Sequence, residues 1–227
     1  MHGCLVTGTD TDCGKTLVSL ALMQALQSRG LLVNGFKPVA AGSEVIDGQK
    51  TNRDAWQMLQ QNSTVTDYHQ VNPILFEAAV APHLAASQQG VEIAMPLLVR
   101  RFERLMEQSD FVVVEGAGGW LVPLDDHHDV ADLASLLGLP VVLVVGLKLG
   151  CINHARLTAE QIIDSGAHLL GWVGSQVQNK MPLCAENVHT LEQYLPCPCM
   201  GVLPFWEQPQ ARHAAAYLDV ELLLDKS

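Results

Sequence analysis

The sequence is short of positive charge. Lysine and arginine total 13 against 24 aspartate and glutamate, giving a formal net charge of −11 over 227 residues. This balance argues against nucleic acid or an anionic membrane as the main partner, because both need a cationic face. It also makes single cations stand out, and Lys15, Lys37 and Lys148 are the ones to follow. No run approaches the roughly 18 uninterrupted apolar residues of a membrane span, and no basic stretch at the N-terminus leads into an apolar one. Six cysteines show no framework spacing, so they read as free thiols of a reducing compartment, and the expected location is cytoplasmic. Cys197-Pro198-Cys199 lacks a second Cys or His pair at zinc spacing. There is no G-x-S-x-G elbow and no cysteine in a nucleophile context, so covalent catalysis is not expected. Internal repeats, linkers and low-complexity tracts are absent too. An apolar share of 48% can then fill one substantial core, and a single domain over residues 1–227 is expected.

What is present is concentrated in Gly8-Thr9-Asp10-Thr11-Asp12-Cys13-Gly14-Lys15-Thr16. The stretch follows the apolar run Gly3-Cys4-Leu5-Val6-Thr7 and opens an amphipathic segment. Strand, glycine-bounded loop and helix, in that order, are the context of a phosphate loop. Backbone N–H groups and the helix N-terminus would face a triphosphate, Lys15 would reach its β and γ phosphates, and Thr16 would ligate Mg²⁺. The spacing departs from G-x-x-x-x-G-K-[ST], since Thr9 occupies the first glycine position and Gly8 lies one residue early.

Further along, Leu31 to Val39 reads as a second strand, Ala40 to Lys50 as a loop, and Asp54 to Leu59 as the start of a helix. The best strand is Phe111-Val112-Val113-Val114-Glu115, apolar throughout and closed by an acid, as in a parallel sheet covered on both faces. Pro140 to Val145, Leu169 to Val177 and Met200 to Pro204 are further strands, with helices between. Alternation of this kind predicts an α/β fold with a doubly wound, mostly parallel sheet flanked by helices, similar to the P-loop NTPases.

Ligands in such sheets lie at the carboxyl ends of the strands, where Lys37, Glu115, Lys148 and the segment after Val173 fall. Glu115 is placed as an acid that holds Mg²⁺ directly or through water. Asp54 reads either as a helix cap or as a metal ligand. Lys37, before Pro38, should project at the ligand face; a lysine about 4 Å from an anion contributes roughly 4 kcal/mol at an effective dielectric near 20. Gly150 to Asn153 precedes a helix and offers a second set of N–H groups for an anion. Asp125-Asp126-His127-His128-Asp129 reads as a solvated loop before a helix.

Taken together, these motifs resemble the dethiobiotin synthetase family. The resemblance is carried by the phosphate loop with its extra residue, by Lys37-Pro38-Val39-Ala40 with Gly42-Ser43, by Ala81-Pro82-His83, and by Glu115-Gly116-Ala117-Gly118-Gly119-Trp120. Lys148-Leu149-Gly150-Cys151-Ile152-Asn153-His154 and Gly171-Trp172-Val173 complete it, in order from about residue 4 to about residue 206. The resemblance implies ATP-dependent carboxylation of 7,8-diaminononanoate by CO2 and closure of a cyclic urea, giving dethiobiotin, ADP and phosphate. It implies Lys37 and Lys15 as catalytic residues, and Thr16, Asp54 and Glu115 on Mg²⁺. Asp12, Cys13, Gly14, Lys15, Thr16 and Leu17 would line the nucleotide with Asp54, Glu115, Gly116, Ala117 and Gly118. Ser175, Gln176, Pro204, Phe205 and Trp206 would lie along the adenine. Thr11, Lys37, Ala41 and Lys148 would face the substrate. Gly150, Cys151, Ile152 and Asn153 would receive its carboxylate from the partner subunit of a homodimer. Two positions depart from the family: Ala41 stands where relatives commonly carry Ser, and Ser175 where they often carry Asn.

Three rival readings share the loop. A partitioning-type switch ATPase needs a second lysine early in the loop, where Thr9 and Asp10 stand. A glutamine amidotransferase ligase needs an added glutaminase domain, and a small-molecule kinase would pass phosphate to a stable product.

Overall fold

The structure is a computed structural model, and residues 2–224 are described. The chain opens with β1 (Gly3–Gly8), the phosphate-loop segment and α1 (Lys15–Gln27). β2 (Val33–Phe36) then stops at Lys37-Pro38, and the chain resumes as β3 (Val39–Ala41). The single strand expected over 31–39 is thus two. Pro38 has no N–H to give a ladder, and the Lys37 N–H turns instead to the Val71 carbonyl at 2.8 Å. The loop expected over 40–50 contains a hairpin, β4 (Glu44–Ile46) paired with β5 (Gln49–Thr51). Its turn is Asp47-Gly48, both residues at positive φ (52° and 78°), the turn whose twist matches that of the flanking strands.

α2 (Arg53–Gln61), α3 (Tyr68–Val71), β6 (Ile74–Phe76), α4 (Pro82–Gln89) and α5 (Met95–Met106) lead to β7 (Phe111–Glu115). α6 (Val130–Leu137), β8 (Val141–Leu147), α7 (Cys151–Asp164) and β9 (Leu169–Gln176) follow. The described chain ends through α8 (Cys184–Tyr194), β10 (Cys199–Leu203), α9 (Ala211–Ala215) and α10 (Glu221–Leu224). The last two helices were not expected.

Six strands form the main sheet in the order β10-β9-β8-β1-β7-β2, every neighbouring pair parallel. Successive residues of a strand point to opposite faces, so the apolar runs feed two cores. Leu5, Val112, Val114, Leu143 and Val145 face α4 to α8, whereas Cys4, Val6, Val113, Val142 and Val144 face α1, α2, α9 and α10. Burial on both faces is why these strands are apolar without alternation. β1 sends its chain toward β2 and its neighbour β8 sends its chain toward β9, so the strand order reverses beside β1. The crevice at that reversal is where such sheets bind ligands. A small parallel pair, β3 with β6, stands apart from the main sheet.

Candidate active site

The phosphate-loop segment, residues 9–14, spans the carboxyl ends of β1 and β8. The Thr9 N–H donates to the Val144 carbonyl at 3.0 Å, and Cys13 is wholly buried beneath the loop. Gly14 adopts φ +99° at the start of α1, and no side chain caps that helix. A Cβ at Gly14 would stand 2.4 Å from Ser175 Oγ, so both its conformation and its neighbour require glycine. The N–H groups at the head of α1 are left for a ligand. By contrast, Asp129 and Asp132 close a reciprocal capping box on α6, which explains why the Asp125–Asp129 segment is structural. His128 there pairs with Asp125 at 2.9 Å, and that hydrogen bond raises the imidazole pKa.

The pairing register sets Glu115 beside Val6, at the foot of the loop. Glu115 is completely buried. Its Oε1 accepts from Thr16 Oγ1 at 3.0 Å and from Lys37 Nζ at 2.5 Å. Lys37, 5% exposed, also donates to the Gly116 carbonyl at 3.3 Å and pairs with Asp54 at 3.5 Å. Burial acts to lower the Lys37 pKa, but the Glu115 and Asp54 carboxylates outweigh it and hold the ammonium above its ordinary value. Two of its three protons are engaged by Glu115 and Gly116, so Lys37 is a fixed cation rather than a proton acceptor. Lys15, also buried, donates to the Asp10 carbonyl at 2.8 Å.

A cavity of about 640 Å³ opens above this cluster. It gathers Thr11, Asp12, Gly14, Lys15, Thr16 and Leu17 from the loop and α1, Lys37, Ala41 and Asp54 from one wall, and Glu115, Ala117 and Gly118 from β7 and its exit. The expected residues Cys13 and Gly116 lie outside its lining. So do Ser175 and Gln176 at the end of β9, and Pro204, Phe205 and Trp206 after β10. Ser175 presses on Gly14, Gln176 donates to Cys184 Sγ at 3.5 Å, and Trp206 stacks edge-on with Tyr217 at 5.6 Å. Lys148 is paired with Asp10 rather than facing the cavity. Gly150, Ile152 and Asn153 line a separate groove of about 530 Å³ with Arg156, Leu157 and Glu160, and Cys151 is buried behind it.

Asn52, Ala79 and Val80 also line the main cavity and were not singled out from the sequence, whereas Ala81 and Pro82 beside them belong to the Ala81-Pro82-His83 motif. Asn52 resolves the alternative at Asp54. Its side chain accepts from the Asp54 and Ala55 N–H groups and so caps α2, leaving the Asp54 carboxylate free to face Lys37. An Asn directly before a helical run is the signal that identifies it.

Mg²⁺ suits this donor set. Thr16, Asp54 and Glu115 offer hard oxygens, and Glu115 Oε2 is buried without a hydrogen-bond partner among the described residues. Mg²⁺ is ordinarily held by one or two carboxylates together with substrate phosphates.

The parallel sheet, the uncapped helix behind a glycine at positive φ, and the buried carboxylate paired with Lys37 define a P-loop nucleoside triphosphatase. The fold is similar to that of the septum site-determining protein MinD from Pyrococcus horikoshii, with a TM-score of 0.56 and 17% identity over 99% of this chain and 90% of that one. A MinC:MinD complex from Aquifex aeolicus matches with a TM-score of 0.57 and 11% identity, covering 100% and 98%. A family profile described as an AAA domain matches residues 2–212. Closer in sequence are the ATP-dependent dethiobiotin synthetase BioD of Cellvibrio japonicus, 47% identical over 97% of this chain and 96% of the relative, and that of Ralstonia nicotianae, 46% identical over 97% and 96%. The chain belongs to the ATP-dependent dethiobiotin synthetase family.

Proposed function

We infer that the chain makes dethiobiotin for biotin biosynthesis, as an ATP-dependent ligase that carboxylates 7,8-diaminononanoate with CO2 and closes the cyclic urea. The diamine takes up CO2 as a carbamate with loss of a proton, a carbamate oxygen attacks the γ-phosphate of ATP and expels ADP, and the second amine attacks the carbonyl of the resulting carbamic–phosphoric anhydride, losing its proton and expelling phosphate. The first step adds an amine to neutral CO2, and the two that follow expel ADP and then phosphate as anions, so positioning and fixed charge supply most of the rate. One observation carries the assignment of roles: Thr16 and Lys37 meet on the same buried oxygen of Glu115.

Lys15 and Lys37 hold the γ-phosphate and carbamate, and Lys37 keeps its proton while charge shifts between them. Thr16, Asp54 and Glu115 hold Mg²⁺, which neutralises phosphate charge when bound. The N–H groups at the head of α1 and the turn Gly116 to Gly118 receive the nucleotide, and Ser175, Gln176 and Pro204 to Trp206 flank its base. Thr11 and Ala41 face the diamine. The carboxylate end is received by Gly150 to Asn153 of a second copy in a homodimer. Support for that step is the groove at the head of α7, which lies apart from the cavity and carries Leu149 97% exposed. The reading takes the chain as one domain working in the cytoplasm. Among the described residues no helix is long and apolar enough to cross a membrane.

The test is phosphate release from ATP and Mg²⁺ with each co-substrate withheld in turn. Release that needs both the diamine and bicarbonate, forms dethiobiotin by mass spectrometry and disappears in Lys37→Ala is the expected outcome. Release indifferent to both would return the chain to the switch ATPases that share its fold.

A further inference from the structure

Lys148 ends the segment that leaves β8, and its ammonium is hydrogen-bonded to Asp10 Oδ2 in the phosphate-loop segment. Asp10 is held at two further atoms. Its main-chain carbonyl accepts from Lys15 Nζ at 2.8 Å, and its Oδ1 accepts from Thr9 Oγ1 at 3.4 Å. Lys148 is fixed from the other side as well, because its carbonyl accepts from the Cys151 N–H at 3.0 Å, at the head of α7. One residue therefore ties the start of α7 to the peptide that holds the phosphate-loop lysine. We propose that Lys148 is a positioning residue: it fixes and neutralises Asp10, and through the Asp10 carbonyl it sets Lys15 for the triphosphate.

The pairing solves an electrostatic problem. A bare carboxylate in a phosphate loop repels the ligand the loop exists to hold, and the next residues bring a second one, Asp12, into the cavity lining. Lys148 cancels the first of these charges. Its side chain and that of Asp10 are about one-third exposed, so the ion pair adds little to folding stability, as is usual for pairs in contact with water. Its consequence falls on nucleotide affinity instead. The sequence reading set Lys148 against the substrate, and the two roles make different predictions. This inference rests on the reading of Lys15 as a phosphate-holding residue.

The experiment is a double-mutant cycle read by calorimetric binding of a non-hydrolysable ATP analogue with Mg²⁺, alongside KM for the diamine. Lys148→Met is expected to weaken the nucleotide about tenfold, the effect of one uncancelled like charge near a triphosphate. Melting should move by no more than about 2 °C. Lys148→Arg keeps the charge and should stay within about threefold of wild type. Asp10→Asn removes the charge that needs cancelling, so Lys148→Met added to it should cost about twofold or less. Effects that multiply in the double variant would overturn the proposal. So would an unchanged nucleotide affinity with a raised KM for the diamine, which would return Lys148 to the substrate. Wild-type protein that bound no nucleotide would instead overturn the reading on which the inference rests.

Discussion

Two lysines end strands of the same sheet, and the molecule treats them differently. Lys37 is buried among Glu115, Asp54 and the Gly116 carbonyl, whereas Lys148 holds Asp10 at the margin of the solvent. Both have raised pKa values. For Lys37, burial opposes the shift and two carboxylates overcome it; for Lys148, the hydrogen bond it donates to Asp10 is the leading cause. A buried ammonium with fixed partners costs desolvation and retains its charge against displacement, and reaction chemistry among anions needs such a cation. A partly exposed pair costs little and can be removed with little loss of fold, which suits a group that tunes binding.

The comparison breaks most sharply at Lys37. Lys37→Met should leave nucleotide affinity within a few-fold and reduce kcat about a thousandfold, the order expected when a fixed group stabilising developing charge is lost. Lys37→Arg should fail nearly as badly, because a planar fork cannot replace a compact ammonium between Glu115 and Gly116. Phosphate release under saturating diamine and bicarbonate is the measurement, and an active Arg variant would show the buried site to be looser than its contacts imply.

Glu115→Gln asks what the burial itself requires. It leaves Lys37 charged with Asp54 as its one remaining carboxylate, and losing one partner of a buried pair costs about 3 kcal/mol. Urea unfolding should register most of that loss, and the Mg²⁺ concentration needed for turnover should rise. The sign of the pH dependence follows from the raised Lys37 pKa. Its stabilising contribution is complete below the unfolded value of 10.5 and is lost as pH rises through the higher folded one. The stability difference between wild type and Lys37→Met should therefore stay level from neutral pH to about 10 and shrink only above 10.5. A decline beginning near pH 8 would mean that Lys37 is not held as the contacts indicate.

Gly14 lies between the two regions, at the end of the phosphate loop and against Ser175. Gly14→Ala meets φ +99° and a contact 2.4 Å from Ser175 Oγ. The left-handed conformation alone costs about 1–2 kcal/mol. Adding Ser175→Gly should remove the collision and leave that strain, so nucleotide affinity should recover in part. Full recovery would show that the loop can adopt another conformation.

The parts that were legible in the sequence follow the same division. β1, β7 and β8 were readable because burial on both faces makes them apolar throughout, and the polar residues at their ends then mark the site. Their register and the meeting of Lys37, Thr16 and Glu115 follow from that sheet. The side structures were not readable. β3 pairs with β6 more than thirty positions along the chain, so its three residues carry no local pattern. The hairpin had a usable signal in Asp47-Gly48, but its strands are three residues each and mostly exposed, too short to show an alternation. α9 and α10, of five and four residues, are too short to show a helical period. Ala79 and Val80 wall the cavity with apolar surface, which carries no chemical signature.

Asn52 gives the smallest effect and ties the two kinds of polar contact together. Its side chain caps α2 through the Asp54 and Ala55 N–H groups, and its Nδ2 donates to the Gly42 carbonyl at 3.0 Å. Loss of such a cap costs about 1 kcal/mol, which in a domain of this size lowers the melting temperature by about 3 °C. If the cap only stabilised the helix, Asn52→Asp would restore both melting and activity, because aspartate caps as well. A carboxylate would lose the donor to Gly42 and would bring a third negative charge beside Asp54 and Glu115. Asn52→Asp should therefore recover the melting temperature and still need more Mg²⁺ or turn over more slowly than wild type. Recovery of both would reduce Asn52 to a helix cap. Recovery of melting alone would show that the amide is required because it caps α2 without adding charge beside Asp54 and Glu115.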